Sequence, residues 1–87
     1  MSQDQNITVT VVVSGQAVPV KVNVHQSIEH LVAEALKDTG NKGQPPGDWE
    51  LRTSDGALIE QTLIIGAVGL KQDATVYLSP RAGAGGE

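Results

Sequence analysis

The residues whose types and spacing could do chemistry lie at the C-terminal end, where residues 81–87 read RAGAGGE. Gly85 and Gly86 are adjacent, and because glycine has no Cβ, a diglycine suits a narrow cleft that excludes side chains. A C-terminal carboxylate becomes reactive when ATP converts it to an acyl-adenylate. A diglycine that ended in such a carboxylate could therefore be an acyl donor, with residues 80–84 as a polar spacer, but here Glu87 follows Gly86.

The same glycine-rich stretch is also typical of a disordered terminus or a cloning linker. Residues 80–87 have nothing apolar to bury, and Pro80 should end the last strand, so this tail is predicted to be flexible. Residues 1–6, MSQDQN, are predicted to be disordered as well. The features of the rest of the chain indicate whether this tail is inert or reactive.

The other side chains that could do chemistry are singly placed. The chain has no cysteine, which excludes disulfides, thiolate metal sites and a cysteine nucleophile. His25 and His30 are five residues apart and do not share a helix face, so no metal site is predicted. The acids Asp48, Glu50 and Asp55 are expected to be solvated. With no nucleophile–base pair and no phosphate loop, the chain is predicted to be no enzyme and to hold no cofactor.

Composition restricts the partners and the compartment. The chain has 87 residues, enough for one domain, and a net charge of −4 with six scattered basic residues. Without a basic stripe, nucleic-acid binding is not expected. The polar N-terminus lacks the apolar core of a signal peptide, and no apolar run could span a membrane. We therefore expect a soluble cytoplasmic protein without membrane attachment.

Hydrophobic periodicity predicts the elements that position the tail. Residues 7–13 and 17–24 alternate around a Gly-containing turn, which predicts a β-hairpin in which Pro19 faces outward or lies at a bulge. Apolar residues then recur at helical spacing, which predicts a helix over residues 28–39 with Ser27 as its N-cap. The expected core residues from helix and sheet are Leu31, Leu36, Leu51 and Val76.

Two further strands are predicted at residues 49–53 and 74–79. They are separated by an apolar segment without a clean period, in which Gly66 and Gly69 suggest a short strand, a helical turn and loops. A helix across one face of a mixed sheet of four or five strands would bury both apolar faces. The helix also supplies the crossover that lets the first and last strands pair in parallel. The fold class is therefore α+β, with a β-grasp domain over residues 7–79.

Several quoted segments resemble ubiquitin, and the likeness extends from residue 7 to residue 86. SIEHLVAEAL (residues 27–36) resembles the start of ubiquitin's helix, GQPPGDWEL (residues 43–51) its Gly-Ile-Pro-Pro loop and third strand, and DATVYL (residues 73–78) its last strand. Gly85-Gly86 matches the terminal diglycine. The chain is most similar to bacterial ubiquitin-like modifiers of the Bub type, which are encoded beside E1-like, E2-like and peptidase genes.

The chain departs from ubiquitin at positions that matter for recognition. Arg52 stands where ubiquitin's recognition patch needs an apolar residue, and Ala57 stands where ubiquitin has its most used chain-forming lysine. The tail is one residue longer, only Arg81 keeps a basic position in it, and Glu87 follows the diglycine. Arg52 is a candidate partner surface, as is Trp49 if it is exposed rather than a partial cap on the core.

The resemblance implies a precursor of a protein modifier. A peptidase, of the JAB type or another, would remove Glu87. An E1-like enzyme would then adenylate Gly86, with contacts to Gly85 and Arg81. An E2-like enzyme would pass the modifier to target proteins, to which Gly86 would be joined by an isopeptide bond. A sulfur carrier that forms a thiocarboxylate is the first alternative, although such carriers usually end at the diglycine. A ubiquitin-like adaptor that binds without chemistry is the second.

Overall fold

One helix packs across a five-stranded sheet in the computed structural model, which describes residues 5–41 and 43–81. The sheet order is β2-β1-β5-β3-β4, and the strands are β1 (Asn6–Val13), β2 (Gln16–Asn23), β3 (Trp49–Thr53), β4 (Leu58–Ile59) and β5 (Ala74–Pro80). The helix α1 spans Ile28–Asp38, and 3-10 turns span Pro46–Asp48 and Ile65–Val68. The predicted α+β, β-grasp fold with a mixed sheet on one main helix is confirmed.

The β1–β2 hairpin closes through a two-residue turn. Ser14 and Gly15 have φ angles of 51° and 87°, as the primed turns of tight hairpins require. Hydrogen-bonded and non-hydrogen-bonded pairs alternate away from the turn, which puts Pro19, opposite Thr10, at a non-hydrogen-bonded position. Since β2 is an edge strand, the nitrogen of Pro19 faces outward and the ladder loses no donor.

The centre of the sheet is the parallel pair of β1 and β5. Val11 lies opposite Val76 in this pair, and α1 provides part of the crossover between the strands. On its other side β5 pairs antiparallel with β3, with Leu51 opposite Leu78. The predicted parallel pairing of the first and last strands is confirmed. The antiparallel β3–β5 pair places the end of β5 beside the start of β3.

The core consists of the inward faces of α1 and the sheet. Leu31 and Leu51 are fully buried, and Leu36 and Val76 are each only 1% exposed, which confirms the four predicted core positions. The other buried apolar residues are Val9, Val11, Val13, Val20, Val22, Ile28, Val32, Ala35, Trp49, Ile59, Ile65 and Leu78. Helix and sheet therefore bury a single shared cluster.

The N-terminus of α1 is capped from two directions. The Ser27 side chain accepts a hydrogen bond from the His30 backbone N–H at 3.3 Å. The N–H of Ile28 donates to the carbonyl of Leu63 at 2.8 Å, and the N–H of Glu29 donates to the carbonyl of Gln61 at 3.0 Å. These bonds satisfy donors that a helix leaves open in its first turn, and they tie the helix to the segment after β4.

Replacing Ser27 with alanine removes the side-chain cap and is expected to lower the free energy of unfolding by about 1 kcal/mol. Urea denaturation monitored by circular dichroism measures this loss. Ser54→Ala is the matched control, because Ser54 is exposed in the β3–β4 turn. Equal losses for the two variants would contradict the capping role.

The ladder extends one residue beyond the predicted domain at each end. Strand β1 begins at Asn6, and β5 includes Pro80, which the sequence predicted as the residue that ends it. Pro80 lies opposite Trp49 at a non-hydrogen-bonded position, so its missing N–H does not interrupt the ladder. The predicted flexibility of residues 82–87 lies outside the described residues.

Candidate functional site at the end of strand β5

Arg81 is held against the loop before β3 by its backbone and by its side chain. Its N–H donates to the carbonyl of Asp48 at 2.8 Å, which continues the β3–β5 register by one position. Its Nε donates to the carbonyl of Gly47 at 3.0 Å, and its guanidinium lies 3.9 Å from a carboxylate oxygen of Glu50. Arg81 was assigned to the flexible tail, and these contacts correct that assignment.

Glu50 lies between two arginines on the sheet face opposite the helix. One oxygen of its carboxylate accepts from Arg52 at 3.1 Å, and the other faces Arg81. Arg52 also donates to the carbonyl of Gly56 at 2.9 Å. The two arginine side chains are nearly half exposed, so solvent weakens each ion pair. The two ion pairs together fix where the guanidinium groups lie.

Arg52 and Tyr77 lie opposite each other on the exposed sheet face. They are partners in the β3–β5 register, and Tyr77 is 45% exposed. The structure thus places Arg52 on an accessible surface, as the sequence predicted. Tyr77 was missed, although the buried Val76 and Leu78 on either side of it required it to face outward.

Trp49 is a core residue rather than an exposed anchor. Trp49 is 7% exposed and belongs to the core cluster, which contradicts the interpretation of an exposed anchor and agrees with the alternative, a partial cap on the core. Alternation along β3 turns Trp49 and Leu51 inward and Glu50 outward. The side-chain amide of Gln61 donates to the carbonyls of Trp49 and Pro46, both at 2.9 Å, and fixes this corner of the domain.

A groove of about 310 Å³ opens beside Arg81. It lies among the first turn of α1, the start of β3 and the segment that contains β4. Its lining combines apolar side chains with carboxylates, and it comprises Glu29, Gly47, Trp49, Glu50, Leu58, Ile59, Glu60, Gln61, Thr62 and Arg81. Sequence reasoning did not find this groove, because its parts are separated by up to about fifty residues.

The described residues contain no cluster of side chains that could bind a metal ion. Within residues 5–41 and 43–81, no group of three or more His, Cys, Asp or Glu side chains could hold a metal ion. His25 precedes α1 and His30 lies in its first turn. Over the same part of the chain, no helix is both long and apolar enough to cross a membrane.

Gly85, Gly86 and Glu87, the predicted conjugation, activation and processing residues, lie outside the described residues. The last described residue is Arg81, and five residues follow it up to Gly86. Five residues span at most about 18 Å. An enzyme that acts at Gly86 must therefore come within about 18 Å of the Arg81 Cα atom.

Solved structures define the class of fold. A designed protein based on ubiquitin superposes with a TM-score of 0.80 at 19% identity, and the match covers 98% of this chain and all of that one. The Arabidopsis thaliana protein At2g32350 superposes with a TM-score of 0.74 at 15% identity, over 92% of each chain. At these identities the likeness shows the fold, which is ubiquitin-like.

Residues 2–86 match the family described as "Protein of Unknown function (DUF2604)", and the chain belongs to that family. A relative in Sinorhizobium fredii (strain NBRC 101917 / NGR234), "Uncharacterized protein y4jI", is 35% identical over 80 residues. That match covers 92% of this chain, and the chain spans 62% of the relative's length.

Proposed function

We propose that this protein is a ubiquitin-like modifier whose donor residue is Gly86. The observation that carries the proposal is the ubiquitin-like fold with a diglycine whose second residue, Gly86, lies five residues beyond Arg81, the last described residue. A folded domain described as far as Arg81, followed in the sequence by a short segment with no bulky side chains, is suited to present a carboxylate to a narrow enzyme cleft.

The proposed chemistry takes place on the Gly86 carbonyl. A peptidase, of the JAB type or another, hydrolyses the Gly86–Glu87 peptide bond and leaves the Gly86 carboxylate. In an E1-like enzyme this carboxylate attacks the α-phosphorus of ATP and releases pyrophosphate. An enzyme thiol then attacks the Gly86 carbonyl of the adenylate, which releases AMP and forms a thioester. An E2-like enzyme takes over the acyl group as a thioester, and a target amine displaces the thiol to form an isopeptide bond. These steps would take place in the cytoplasm, and the chain itself supplies the acyl group and the docking surface.

The sequence provides a specific mass-spectrometric test of conjugation. Trypsin cleaves after Arg81, so a target lysine modified by Gly86 should carry the five-residue remnant Ala-Gly-Ala-Gly-Gly. We expect peptides with this remnant in tryptic digests of affinity-purified conjugates from cells that encode the protein. The matched control is the same protein ending at Gly85, which should give none.

Two other outcomes would replace the proposal. An intact protein whose terminal Gly86 has gained only the mass of an oxygen-to-sulfur exchange would indicate a sulfur carrier. Partner binding that is unchanged after removal of residues 82–87, with no remnant found on any lysine, would indicate an adaptor that acts without conjugation.

A further inference from the structure

The lining of the groove beside Arg81 combines apolar residues with four charged ones, Glu29, Glu50, Glu60 and Arg81, which we call the rim. The apolar lining residues are Trp49, Leu58 and Ile59, and Leu58 is 46% exposed. The hydrogen bond from the Glu29 N–H to the Gln61 carbonyl brings the first turn of α1 beside the segment after β4.

Among the described residues, the rim has an excess of negative charge. Its ionisable residues are three glutamates and one arginine, a formal net charge of −2. Glu50 is compensated by Arg52 and Arg81. Within residues 5–41 and 43–81, the carboxylates of Glu29 and Glu60 form no ion pair.

This combination selects a ligand with an apolar stem and a positive end. A lysine or arginine side chain packs its methylene groups on an apolar surface while its charge stays in water. In the groove, the stem of such a side chain would contact mainly the exposed Leu58, beside the small part of Trp49 that lines the groove, and its charge would face Glu29 and Glu60. We infer that the groove is a docking site for a lysine- or arginine-bearing segment of a partner protein.

Residues 82–87 do not have the matching chemistry. Residues 82–87, AGAGGE, contain no positive charge and one carboxylate side chain, which the rim would repel. Arg81 is already committed to the carbonyl of Gly47 and to Glu50. All residues that line the groove are described residues, and docking there does not depend on conjugation at Gly86.

Trp49 is the sole tryptophan of the chain and reports on the groove directly. The probes are acetyl-Leu-Lys-Leu-amide, its arginine counterpart, and the same peptide with norleucine, which keeps the stem but lacks the charge. Titrated into the full chain, either cationic peptide should change the Trp49 emission and bind about 5-fold more tightly than the norleucine peptide. Raising the salt concentration should reduce this difference.

Paired charge variants test whether the rim is responsible. Glu29→Gln combined with Glu60→Gln should remove the preference for the cationic peptides. Glu34→Gln combined with Asp55→Asn changes the net charge equally but outside the groove, and should leave the preference intact. Thermal denaturation confirms that both variants fold.

Several results would overturn the inference. These are equal binding of all three peptides, no emission change at millimolar peptide, or the same loss in both double variants. Emission that depends on protein concentration without peptide would show a second copy in the groove. Binding that occurs only after residues 82–87 are removed would show that this segment occupies it.

Discussion

Replacing Leu31 with alanine is expected to lower the free energy of unfolding by about 2–5 kcal/mol. Leu31 is fully buried in the middle of α1, among residues of the helix and the sheet that form the shared core. The substitution loses the transfer free energy of the removed atoms and leaves a cavity that the rigid sheet cannot fill by collapse. A domain of this size has only about 5–15 kcal/mol of stability in total, so the loss is a large fraction of it.

Urea denaturation of wild type and variant measures this difference. Leu63→Ala is the matched control, because it makes the same chemical change at a side chain that is 43% exposed. We expect the control to lose less than about 1 kcal/mol. A loss at Leu31 as small as the loss at Leu63 would contradict the packing of α1 on the sheet.

The regular elements were predictable because each shows a single clear period. Alternating valines identify β1 and β2, and the apolar stripe of residues 28–36 identifies α1, whose last residue, Asp38, is one before the predicted end. Thr39 instead caps the helix through its backbone N–H, and Gly40 leaves it with a φ angle of 81°. Local sequence decides these features, so a single sequence is sufficient to find them.

In the segment between β3 and β5, the predicted short strand and helical turn are present, but the sequence did not give their bounds, because the apolar residues there have different roles. Ile59 and Ile65 are buried in the core, whereas Leu58, Leu63 and Ile64 are each more than 40% exposed. Strand β4 has only two residues, too few to show a period. The segment is held by hydrogen bonds from the first turn of α1, which is distant in sequence, and by the pairing of β4 with β3.

The anchoring of Arg81 was missed for a similar reason. Its partners are the carbonyls of Gly47 and Asp48, and a carbonyl carries no sequence signal. Pro80 was also expected to end the ladder. A proline is accepted at this position because its nitrogen does not face β3, and the sequence alone does not show which side of β5 the nitrogen faces. Arg52 lies on the accessible sheet face, and its role as a partner surface stays a prediction. The groove beside Arg81 could not be predicted because it depends on contacts among three separate elements.

Removal of Glu87 is expected to decide whether the protein can be activated at all. While Glu87 is present, the Gly86 carbonyl belongs to a peptide bond, which has no carboxylate to attack ATP. The Glu87 side chain would also bring another negative charge toward the nucleotide phosphates in a partly desolvated cleft. Arg81 holds the domain end in place, so the distance from the anchored residue to the reacting carbonyl is set by the five residues that follow it.

Three forms of the protein, incubated with the cognate E1-like enzyme and ATP, test this expectation: the full sequence, a form ending at Gly86 and a form ending at Gly85. Only the form ending at Gly86 should support rapid ATP–pyrophosphate exchange. The form ending at Gly85 is the control for tail length, because it has a free glycine carboxylate that is one residue, or at most about 3.6 Å, too short. Misplacement by even an ångström can slow an enzymatic step about a hundredfold, so this form should be nearly inactive. Exchange by the full sequence at the same rate, with intact mass showing that Glu87 is retained, would exclude the precursor hypothesis.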